Sequence, residues 1–233
     1  MRRIAIIPAR GGSKRLVRKN IVLLAGKPLL SYAIESALKS NIFDKVCVSS
    51  EDDKILEIAR TYTGILCLKR PPELATDTAS VREVCAYLLE DFDSQGEPYD
   101  EFAILLVTNP LRLSEDICAA CEILKHPGIN AVTSLVPFTH PPQRSVKIVD
   151  GLVKPFLDLS YMTQTQNLEQ LYRHDGSVYF AKVDIFLKER VQYGSGLAPY
   201  FIPPERSVDI DSMLDLEWAE FLLLRNRDTL YGK

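Results

Sequence analysis

The alternation of apolar strand-like runs with helical segments is the feature that most constrains how this chain folds. Short runs rich in β-branched residues recur between segments whose apolar residues are spaced as on one face of a helix. The predicted strands are 4–7, 45–49, 65–68, 102–107 and 130–136, and the helices predicted between them are 29–39, 51–62, 78–91 and 114–125. Strands that alternate with helices in this way form a parallel sheet covered on both faces. The sequence therefore predicts an α/β fold with a mostly parallel sheet.

The alternation is interrupted once, from residue 137 to about residue 173. Two short apolar runs in this region, 146–149 and 152–154, flank Asp150-Gly151, a pair typical of a tight hairpin turn. The alternation returns with a strand at 177–181, helices at 183–190 and 213–225, and an extended segment at 200–202. A chain of 233 residues is long enough for one large domain with a small insertion. We therefore expect a single domain over residues 1–233, with residues 138–173 as an insertion.

The composition excludes several classes of function. A net charge of -3 argues against a generally basic nucleic-acid binder, and no run approaches the roughly 20 apolar residues that span a bilayer. The first residues lead straight into a strand without a cleavable apolar region, so we expect the protein in the cytoplasm. Five cysteines are an odd count, which argues against a disulfide framework. Cys118 and Cys121 have CxxC spacing but lie in an apolar helical pattern, which favours a helix face over a zinc or redox site.

A loop rich in glycine and cationic residues follows the first strand. The strand breaks at Pro8, and paired glycines then leave the backbone open for an anion to approach peptide N–H groups closely. The residues of this candidate anion site are Ala9, Arg10, Gly11, Gly12, Ser13 and Lys14, and further cations nearby are Arg15, Arg18, Lys19 and Lys27. The loop matches neither the GxxxxGK[ST] phosphate loop nor the GxGxxG dinucleotide fingerprint. It suits a triphosphate, and a solvated basic loop is the alternative.

Two acidic residues near the other end of the chain predict a metal site. Asp209 and Asp211 flank Ile210, so in an extended segment both carboxylates face the same side. Paired hard oxygen ligands suit Mg²⁺, which takes one or two carboxylates and completes its shell with phosphate oxygens and water. The alternative is an exposed turn with two unrelated acids.

The cationic loop and the acid pair together predict nucleotidyl transfer, in which an oxygen nucleophile attacks the α-phosphate of a nucleoside triphosphate and pyrophosphate leaves. Negative charge grows on the phosphate oxygens during this reaction, so the protein needs positioned cations and a metal. The predicted catalytic residues are Arg10, Lys14 and Lys19 for the triphosphate and Asp211, assisted by Asp209, for Mg²⁺, with backbone donors from Gly11, Gly12 and Ser13.

Five sequence blocks carry a family resemblance. They lie at 6–21, 70–80, 108–112, 175–179 and 207–211, and they include PARGGSKR, RPPELATDTAS, TNPLR, DGSVY and SVDID. In this order the blocks resemble the motifs of the acylneuraminate cytidylyltransferases, the CMP-sialic acid synthetase family. The resemblance implies a three-layer, Rossmann-like nucleotidyltransferase fold. It also implies a homodimer, in which the hairpin segment at 138–173 mediates dimerisation and its tip reaches toward the partner's active site.

The same resemblance implies substrates and binding residues. The substrates are CTP and a 2-keto-3-deoxy sugar acid of the nonulosonic, sialic-acid type, whose anomeric hydroxyl is the nucleophile. Beyond the opening loop, the implied nucleotide-binding residues are Asn20, Arg70, Ala79 and Ser80, and the implied sugar-binding residues are Leu106, Thr108 and Arg173. The planar guanidinium of Arg173 suits the carboxylate of the sugar because it can donate two parallel hydrogen bonds.

Two positions depart from the family pattern. Leu106 stands where the family usually has glutamine, and Val81 stands where it usually has serine. Both changes remove polar groups that contact a standard sialic acid, so a less hydroxylated or differently acylated sugar, such as legionaminic or pseudaminic acid, is a second candidate substrate. His140 and His174 are interpreted as structural, with a place in the sugar site as the alternative.

Two further interpretations stay open from the sequence. One is a Kdo-type or other sugar nucleotidyltransferase that uses a different base or acid, although the Kdo branch carries another loop in place of residues 11–14. The other is a catalytically silent nucleotide-binding or assembly subunit, which would explain the changes at Leu106 and Val81. The intact Arg10, Lys19 and Asp211 favour an enzyme.

Overall fold

The computed structural model describes residues 1–13, 15–157, 164–191 and 193–225. The strands are β1 (Arg3–Pro8), β2 (Leu23–Leu24), β3 (Lys27–Pro28), β4 (Lys45–Ser50), β5 (Ile65–Lys69), β6 (Glu101–Ile104), β7 (Ala131–Pro137), β8 (Val146–Val149), β9 (Leu152–Pro155), β10 (Tyr172–Lys182) and β11 (Leu197–Phe201). The α-helices are α1 (Leu29–Ser40), α2 (Asp53–Arg60), α3 (Val81–Ser94), α4 (Ser114–Leu124), α5 (Val183–Glu189) and α6 (Met213–Arg225). No helix in these described ranges has the length and apolar character needed to cross a membrane.

Seven strands form the main sheet, in the order β11, β7, β10, β6, β1, β4 and β5. Strand β10 runs antiparallel to its neighbours β6 and β7, and the other neighbouring pairs are parallel. The prediction of a mostly parallel sheet is therefore confirmed. The apolar strand that ends before Thr108 is β6, which lies at the centre of the sheet.

Each face of the sheet has its own apolar core. Along β1, Ala5 and Ile7 pack among residues of α1, α2, α4 and α6, whereas Ile4 and Ile6 pack on the opposite face among residues of α3 and α5. All four side chains are fully buried, as expected for a strand with a layer of helices on each side. Burial of this kind stabilises the fold by about 1.5–3 kcal/mol for each large aliphatic side chain. The predicted three-layer α/β fold is thus confirmed.

Strands β6 and β10 have bounds that differ from the prediction. Strand β6 ends at Ile104 rather than at residue 107. The apolar run continues because Leu105 and Val107 are buried beyond the strand end. Strand β10 begins at Tyr172 rather than at residue 177. Its first residues are polar, so an apolar pattern does not reveal them, yet Arg173 already pairs with Val136 of β7.

Helix α3 begins at Val81, later than predicted, because Ser80 caps it. The Ser80 hydroxyl accepts a hydrogen bond from the Glu83 N–H at 3.2 Å, and the Glu83 carboxylate accepts one from the Ser80 N–H at 2.6 Å. This reciprocal arrangement is a capping box, and its cap is worth about 1 kcal/mol. The hydrogen bonds from Ser80 hold the pKa of Glu83 below its usual range.

The predicted hairpin is confirmed as β8 and β9. Asp150 and Gly151 at its turn have positive φ angles of 53° and 75°, as a two-residue type I′ turn requires. One face of the hairpin carries Val146, Ile148 and Val153, which are 51%, 71% and 66% exposed. An isolated two-stranded hairpin is marginally stable in water, so covering this apolar face would stabilise it. Residues 158–163 of the predicted insertion lie outside the described residues.

Candidate active site

A cleft of about 550 Å³ lies beyond the carboxyl ends of β1, β5 and β6. Open α/β sheets bind ligands at this edge. The predicted site residues that line the cleft are Arg10, Ser13, Lys19, Asn20, Arg70, Ala79, Leu106, Thr108 and Asp211. The remaining predicted residues Ala9, Gly11, Gly12, Ser80, Arg173 and Asp209 are not part of this lining, and Lys14 lies outside the described residues.

Polar contacts attach the opening loop to the end of the sheet. The Ala9 N–H donates to the Ser49 carbonyl oxygen at 3.0 Å, which continues the pairing of β1 with β4. The buried Asn20 amide donates to the Arg10 carbonyl oxygen at 2.7 Å. The Asn20 side chain therefore holds the backbone of the opening loop at Arg10, in addition to lining the cleft.

Gly11 lies in close contact with the turn after β4. Its N–H donates to the Glu51 carboxylate at 2.6 Å. A Cβ at Gly11 would lie 2.7 Å from Asp52 Oδ2, whereas a Cβ at Gly12 would meet open space. Gly11 therefore has a steric reason to be glycine, and its N–H, a candidate anion donor, is occupied by Glu51.

The predicted phosphate-binding cations contact carboxylates across the cleft. Arg10 donates to Asp77 Oδ1 at 2.9 Å. Lys19 Nζ lies 2.8 Å from Asp211 Oδ1, and Arg15 lies 2.9 Å from Asp211 Oδ2. The Arg10 and Arg15 pairs are exposed and are worth about 0–1 kcal/mol each, whereas the Lys19 side chain is only 16% exposed. The Arg15 and Lys19 contacts join the opening loop to the predicted metal site.

The acid pair is oriented by the residue between its members. Ile210 is fully buried, and its N–H donates to the Thr108 carbonyl oxygen at 2.9 Å. This contact fixes the extended segment beside the end of β6 and leaves Asp209 and Asp211 near each other. Although Asp209 is exposed, neighbouring protein atoms partly desolvate its carboxylate, and this desolvation raises its pKa. A hydrogen bond with Thr108 acts against this rise, and the charge of Asp211 adds to it.

Asp215 has a structural role beside this acid pair. Its carboxylate accepts hydrogen bonds from the N–H groups of Asp211 at 3.1 Å and Ser212 at 2.8 Å. Its partial burial acts to raise the pKa of Asp215, but these hydrogen bonds and the one from the Ser212 hydroxyl outweigh it and lower the pKa. Asp215 therefore orients the Asp211 backbone at the start of α6. Within the described ranges, no group of three or more His, Cys, Asp or Glu residues is placed to hold a metal ion.

Asn109 joins three segments of the site, a role that the sequence analysis did not assign. Its amide donates to the Asp175 carbonyl oxygen at 2.5 Å and to the Val208 carbonyl oxygen at 3.3 Å. Gly176 packs against it, since a Cβ there would lie 2.9 Å from Asn109 Oδ1 and 3.2 Å from Leu106 Cδ1. Asn109 thus explains why TNPLR, DGSVY and SVDID meet at one place.

Arg112 also connects segments of the site, and this role was not predicted from the sequence. Its guanidinium is almost fully buried and donates to the carbonyl oxygens of Ser177 at 2.7 Å and Leu106 at 3.2 Å. It therefore fixes the turn after β6 against β10. A buried charged residue in an apolar segment is the signal by which the sequence could have indicated such a role.

A buried ion pair anchors the segment that leads to the acid pair. Arg206 donates through both terminal nitrogens to the Asp116 carboxylate, and the Tyr200 hydroxyl donates to the same carboxylate at 2.8 Å. Burial and the neighbouring Asp116 carboxylate raise the pKa of Tyr200 to about 12. Strand β11 and the chain before residue 209 are thereby tied to the start of α4.

Arg70 forms part of the cleft wall opposite the acid pair. Its guanidinium donates to the Ser49 carbonyl oxygen at 2.7 Å, and burial lowers its pKa. Ala79 lines the same side of the cleft, whereas the Ser80 hydroxyl is engaged in the cap of α3.

The three predicted sugar-binding residues are not equally placed. Leu106 and Thr108 line the cleft, but Arg173 does not. The Arg173 guanidinium donates to the Ser207 hydroxyl at 3.3 Å, so it lies beside the segment that carries the acid pair.

Sequence comparison decides the family. Residues 4–193 match the family described as Cytidylyltransferase. The chain belongs to that family. This cytidylyltransferase is 34% identical to the pseudaminic acid cytidylyltransferase of Campylobacter jejuni, over 99% of this chain and 100% of that protein.

Two further relatives show that this enzyme is of the acylneuraminate cytidylyltransferase type, as the sequence resemblance predicts. The CMP-N,N'-diacetyllegionaminic acid synthase of Legionella pneumophila is 35% identical, over 99% of this chain and 100% of that protein. The N-acylneuraminate cytidylyltransferase of Escherichia coli is 36% identical over 93% of this chain, which corresponds to 51% of that longer protein.

Solved structures confirm the fold of the cytidylyltransferase. A CMP:2-keto-3-deoxy-manno-octonic acid synthetase, solved with CTP, matches with a TM-score of 0.69 and 16% identity, over 97% of this chain and 100% of that chain. A 4-diphosphocytidyl-2C-methyl-D-erythritol synthase matches with a TM-score of 0.70 and 13% identity, over 95% of this chain and 99% of that chain. At such identities the likeness concerns the fold alone, and the fold is the Rossmann-like one predicted.

Proposed function

We propose that this cytidylyltransferase transfers CMP from CTP to the anomeric hydroxyl of a 2-keto-3-deoxy sugar acid of the nonulosonic type and releases pyrophosphate. The observation that carries the proposal is the cleft in which Arg10, Arg15 and Lys19 lie with Asp211 beyond the strand ends. The names of the full-length relatives, which act on pseudaminic and legionaminic acids, support the same substrate class.

The reaction forms a bond between the anomeric oxygen and the α-phosphorus of CTP. The bond from that phosphorus to the oxygen bridging the β-phosphorus breaks, and the hydroxyl proton is released. Negative charge grows on the α-phosphate oxygens and on the departing pyrophosphate, so preorganised donors lower the barrier. Arg10, Arg15 and Lys19 would exchange their carboxylate partners for phosphate oxygens when CTP binds. The backbone N–H of Gly12 would add a neutral donor, the Ser13 N–H would first leave the Gly11 carbonyl oxygen to which it donates at 3.1 Å, and Lys14 stays a predicted contributor.

The acid pair fits a hard divalent cation. Asp211 lines the cleft, and both of its carboxylate oxygens contact cationic groups. Asp209 lies close enough that the charge of Asp211 contributes to raising its pKa. Two carboxylates are the usual protein contribution to an Mg²⁺ site that phosphates and water complete. We therefore assign Asp209 and Asp211 to Mg²⁺, which supplies positive charge at the phosphate oxygens when bound.

The two ends of the cleft suggest where each substrate lies. Arg70 and Ala79 line the wall next to the opening loop, and we assign them, with Ser80 nearby, to the cytosine base. Leu106 and Thr108 line the wall beside the acid pair, and we assign them to the sugar. Arg173 is assigned to the sugar carboxylate, which requires it to leave Ser207.

The apolar face of the β8–β9 hairpin supports a homodimer. Val146, Ile148 and Val153 expose this face to solvent in the single chain, and the opposite face carries Lys147 and Lys154 together with the 64% exposed Leu152. A second copy of the chain is the partner that we propose for it. The location in the cytoplasm stays a prediction from the sequence.

The proposed function is tested by pyrophosphate release. Each of CTP, UTP, ATP and GTP is supplied with legionaminic, pseudaminic, N-acetylneuraminic and Kdo-type acids, and the pyrophosphate is measured. We expect turnover with CTP and a nonulosonic acid, far above that with the other triphosphates. Equal use of UTP would contradict the choice of base, preference for the Kdo-type acid would favour the alternative enzyme, and no turnover with any pair would indicate a silent subunit.

A further inference from the structure

Helix α6 carries large apolar side chains on both of its faces. Its outward face exposes Leu214, Trp218 and Phe221, whose exposed fractions are 73%, 52% and 50%. A surface helix usually presents charged and polar residues on the face opposite its core side. The outward face of α6 therefore departs from the pattern of a helix that borders solvent. The inward face packs in the core through Leu216, Ala219, Leu222 and Leu223.

The outward residues form one continuous surface, which we call the α6 stripe. Residues three or four positions apart are neighbours on a helix surface, so this spacing aligns them along one side. The rings of Trp218 and Phe221 stack at the centre of the stripe, with centroids 5.3 Å apart and 16° between their planes. The exposed residues of the α6 stripe are Leu214, Glu217, Trp218, Phe221, Leu224 and Arg225.

The apolar area of the α6 stripe matches what one side of a protein–protein interface needs. Aromatic side chains cover about 150–250 Å² each, so the half-exposed Trp218 and Phe221 together leave roughly 150–250 Å² open. Leu214 and Leu224, which are 73% and 53% exposed, bring the patch to the order of 400 Å². A standard interface buries about 800 Å² on each partner, of which about 56–65% is non-polar. The stripe therefore supplies most of that apolar area.

The charges of the α6 stripe are complementary to those of a second copy. Glu217 and Arg225 lie four residues before and four residues after Phe221. In an antiparallel pair of α6 helices centred on Phe221, Glu217 of each copy lies opposite Arg225 of the other. A two-fold axis between identical copies places equivalent helices antiparallel in this way. A parallel pair would instead set like charges against each other.

The same charges argue against a membrane surface as the occupant. Helices that lie on anionic lipid carry mainly lysine and arginine on their polar positions. Among the described residues of α6, Asp215, Glu217 and Glu220 outnumber the single cation Arg225. An anionic surface would therefore repel the helix, whereas a second copy brings an arginine to each acidic end.

We propose that the α6 stripe is an interface between two copies of this chain, with Trp218 and Phe221 at its centre and the Glu217–Arg225 pairs at its rim. The interface is separate from the hairpin, so the two contacts together would give a tetramer with two kinds of two-fold axis. The segment 146–157 exposes six large apolar side chains, against four in the stripe. The α6 contact is therefore the weaker of the two, and it forms at higher protein concentration.

Sedimentation velocity over a concentration series tests the interface. In the Ile148→Lys variant, which removes the hairpin contact, we expect monomers at low concentration and dimers as the concentration rises. Adding Trp218→Glu should abolish this rise. Adding Tyr87→Glu should leave it intact, because Tyr87 is an exposed aromatic residue of comparable accessibility on α3. Thermal unfolding of each variant checks that the fold is retained.

Charge reversal tests the antiparallel arrangement without altering the apolar centre. Glu217→Arg and Arg225→Glu each set like charges against each other, so each should weaken association by about tenfold or more. The double variant restores opposite charges across the two-fold axis and should associate within about threefold of the parent. A double variant that associates no better than the single variants would overturn the arrangement.

Fluorescence gives a second readout, because Trp218 is the only tryptophan of the chain. Its emission should shift to shorter wavelength as the concentration rises. Absence of association at any concentration, or association that Trp218→Glu leaves unchanged, would overturn the inference. A shift with phosphatidylglycerol vesicles but not with protein concentration would assign the stripe to a membrane and overturn it equally. A wild type that is monomeric at low concentration and dimeric at high concentration through Trp218 would support the α6 interface and contradict only the hairpin dimer.

Discussion

Replacing Asn109 tests how the site is assembled. The side chain is 1% exposed, and its amide donates to the carbonyl oxygens of Asp175 and Val208. Asn109→Ala leaves both buried carbonyl groups without this donor. Each buried group that loses its partner costs about 1–3 kcal/mol, so the variant should be less stable by about 2–6 kcal/mol.

Calorimetric or spectroscopic thermal unfolding measures this loss. For a domain of this size, 1 kcal/mol shifts the Tm by about 2–4 °C, so we expect a decrease of roughly 4–24 °C for Asn109→Ala. Asn130→Ala is the comparison variant, because the half-buried Asn130 donates to the Ser195 carbonyl oxygen at 3.1 Å and accepts from Lys182 at 3.3 Å without joining segments of the cleft. Loss of such a hydrogen bond costs about 0.5–1.5 kcal/mol.

Asn109→Asp adds a pH-dependent test at the same position. It keeps the shape of the side chain but places a carboxylate against two carbonyl oxygens, which raises its folded pKa above the usual value of about 3.9. The protonated form is then favoured in the folded state, so the variant is closest to wild type below the unfolded pKa. Its deficit grows as pH rises through the folded pKa. If both Asn109 variants unfold within about 1 °C of Asn130→Ala at every pH, the amide is not the joint that we describe.

Three further predictions concern the chemistry and the assembly. Asp211→Ala should lower kcat by about a hundredfold or more, because one lost electrostatic contact in the transition state is worth about 3–4 kcal/mol. A steady-state turnover near that of the wild type, or turnover undiminished in EDTA, would exclude Asp211 as a metal ligand. Leu106→Gln should raise kcat/KM for N-acetylneuraminic acid relative to sugars that carry a methyl group in place of the terminal hydroxymethyl. The reason is that a buried polar side chain discriminates against a substrate that leaves this side chain unpaired. Unchanged selectivity would contradict this prediction. Ile148→Lys should convert a dimer to monomers in analytical ultracentrifugation and Lys147→Glu should not, and a monomeric wild type would contradict the dimer.

The fold could be predicted where the apolar pattern coincides with the hydrogen bonding. Strand β1 is such a case, because Ile4 to Ile7 are buried on both faces and pair along their length. The pattern misleads at the end of β6, since Val107 is buried although it lies outside the ladder. The antiparallel direction of β10 also leaves no local signal, because it depends on which strands flank it in space.

Local geometry in the candidate site was predictable where neighbours in the sequence decide it. The segment 209–211 is an example, because Ile210 is buried between the two acids, as the alternation along an extended segment predicts. Asn109 is the opposite case, since its hydrogen-bond partners lie 66 and 99 residues away. Its role depends on the meeting of three segments, which no local pattern expresses.

The ion pairs in the cleft explain why counting charges along the sequence overstates the positive potential of the opening loop. Arg10, Arg15 and Lys19 are close together in sequence, but their carboxylate partners Asp77 and Asp211 lie in distant segments. Each partner reduces the field that an approaching triphosphate meets, by an amount that depends on exposure and salt. In the proposed function, nucleotide binding is an exchange of carboxylate for phosphate at each cation, and its net free energy is the difference between two sets of contacts.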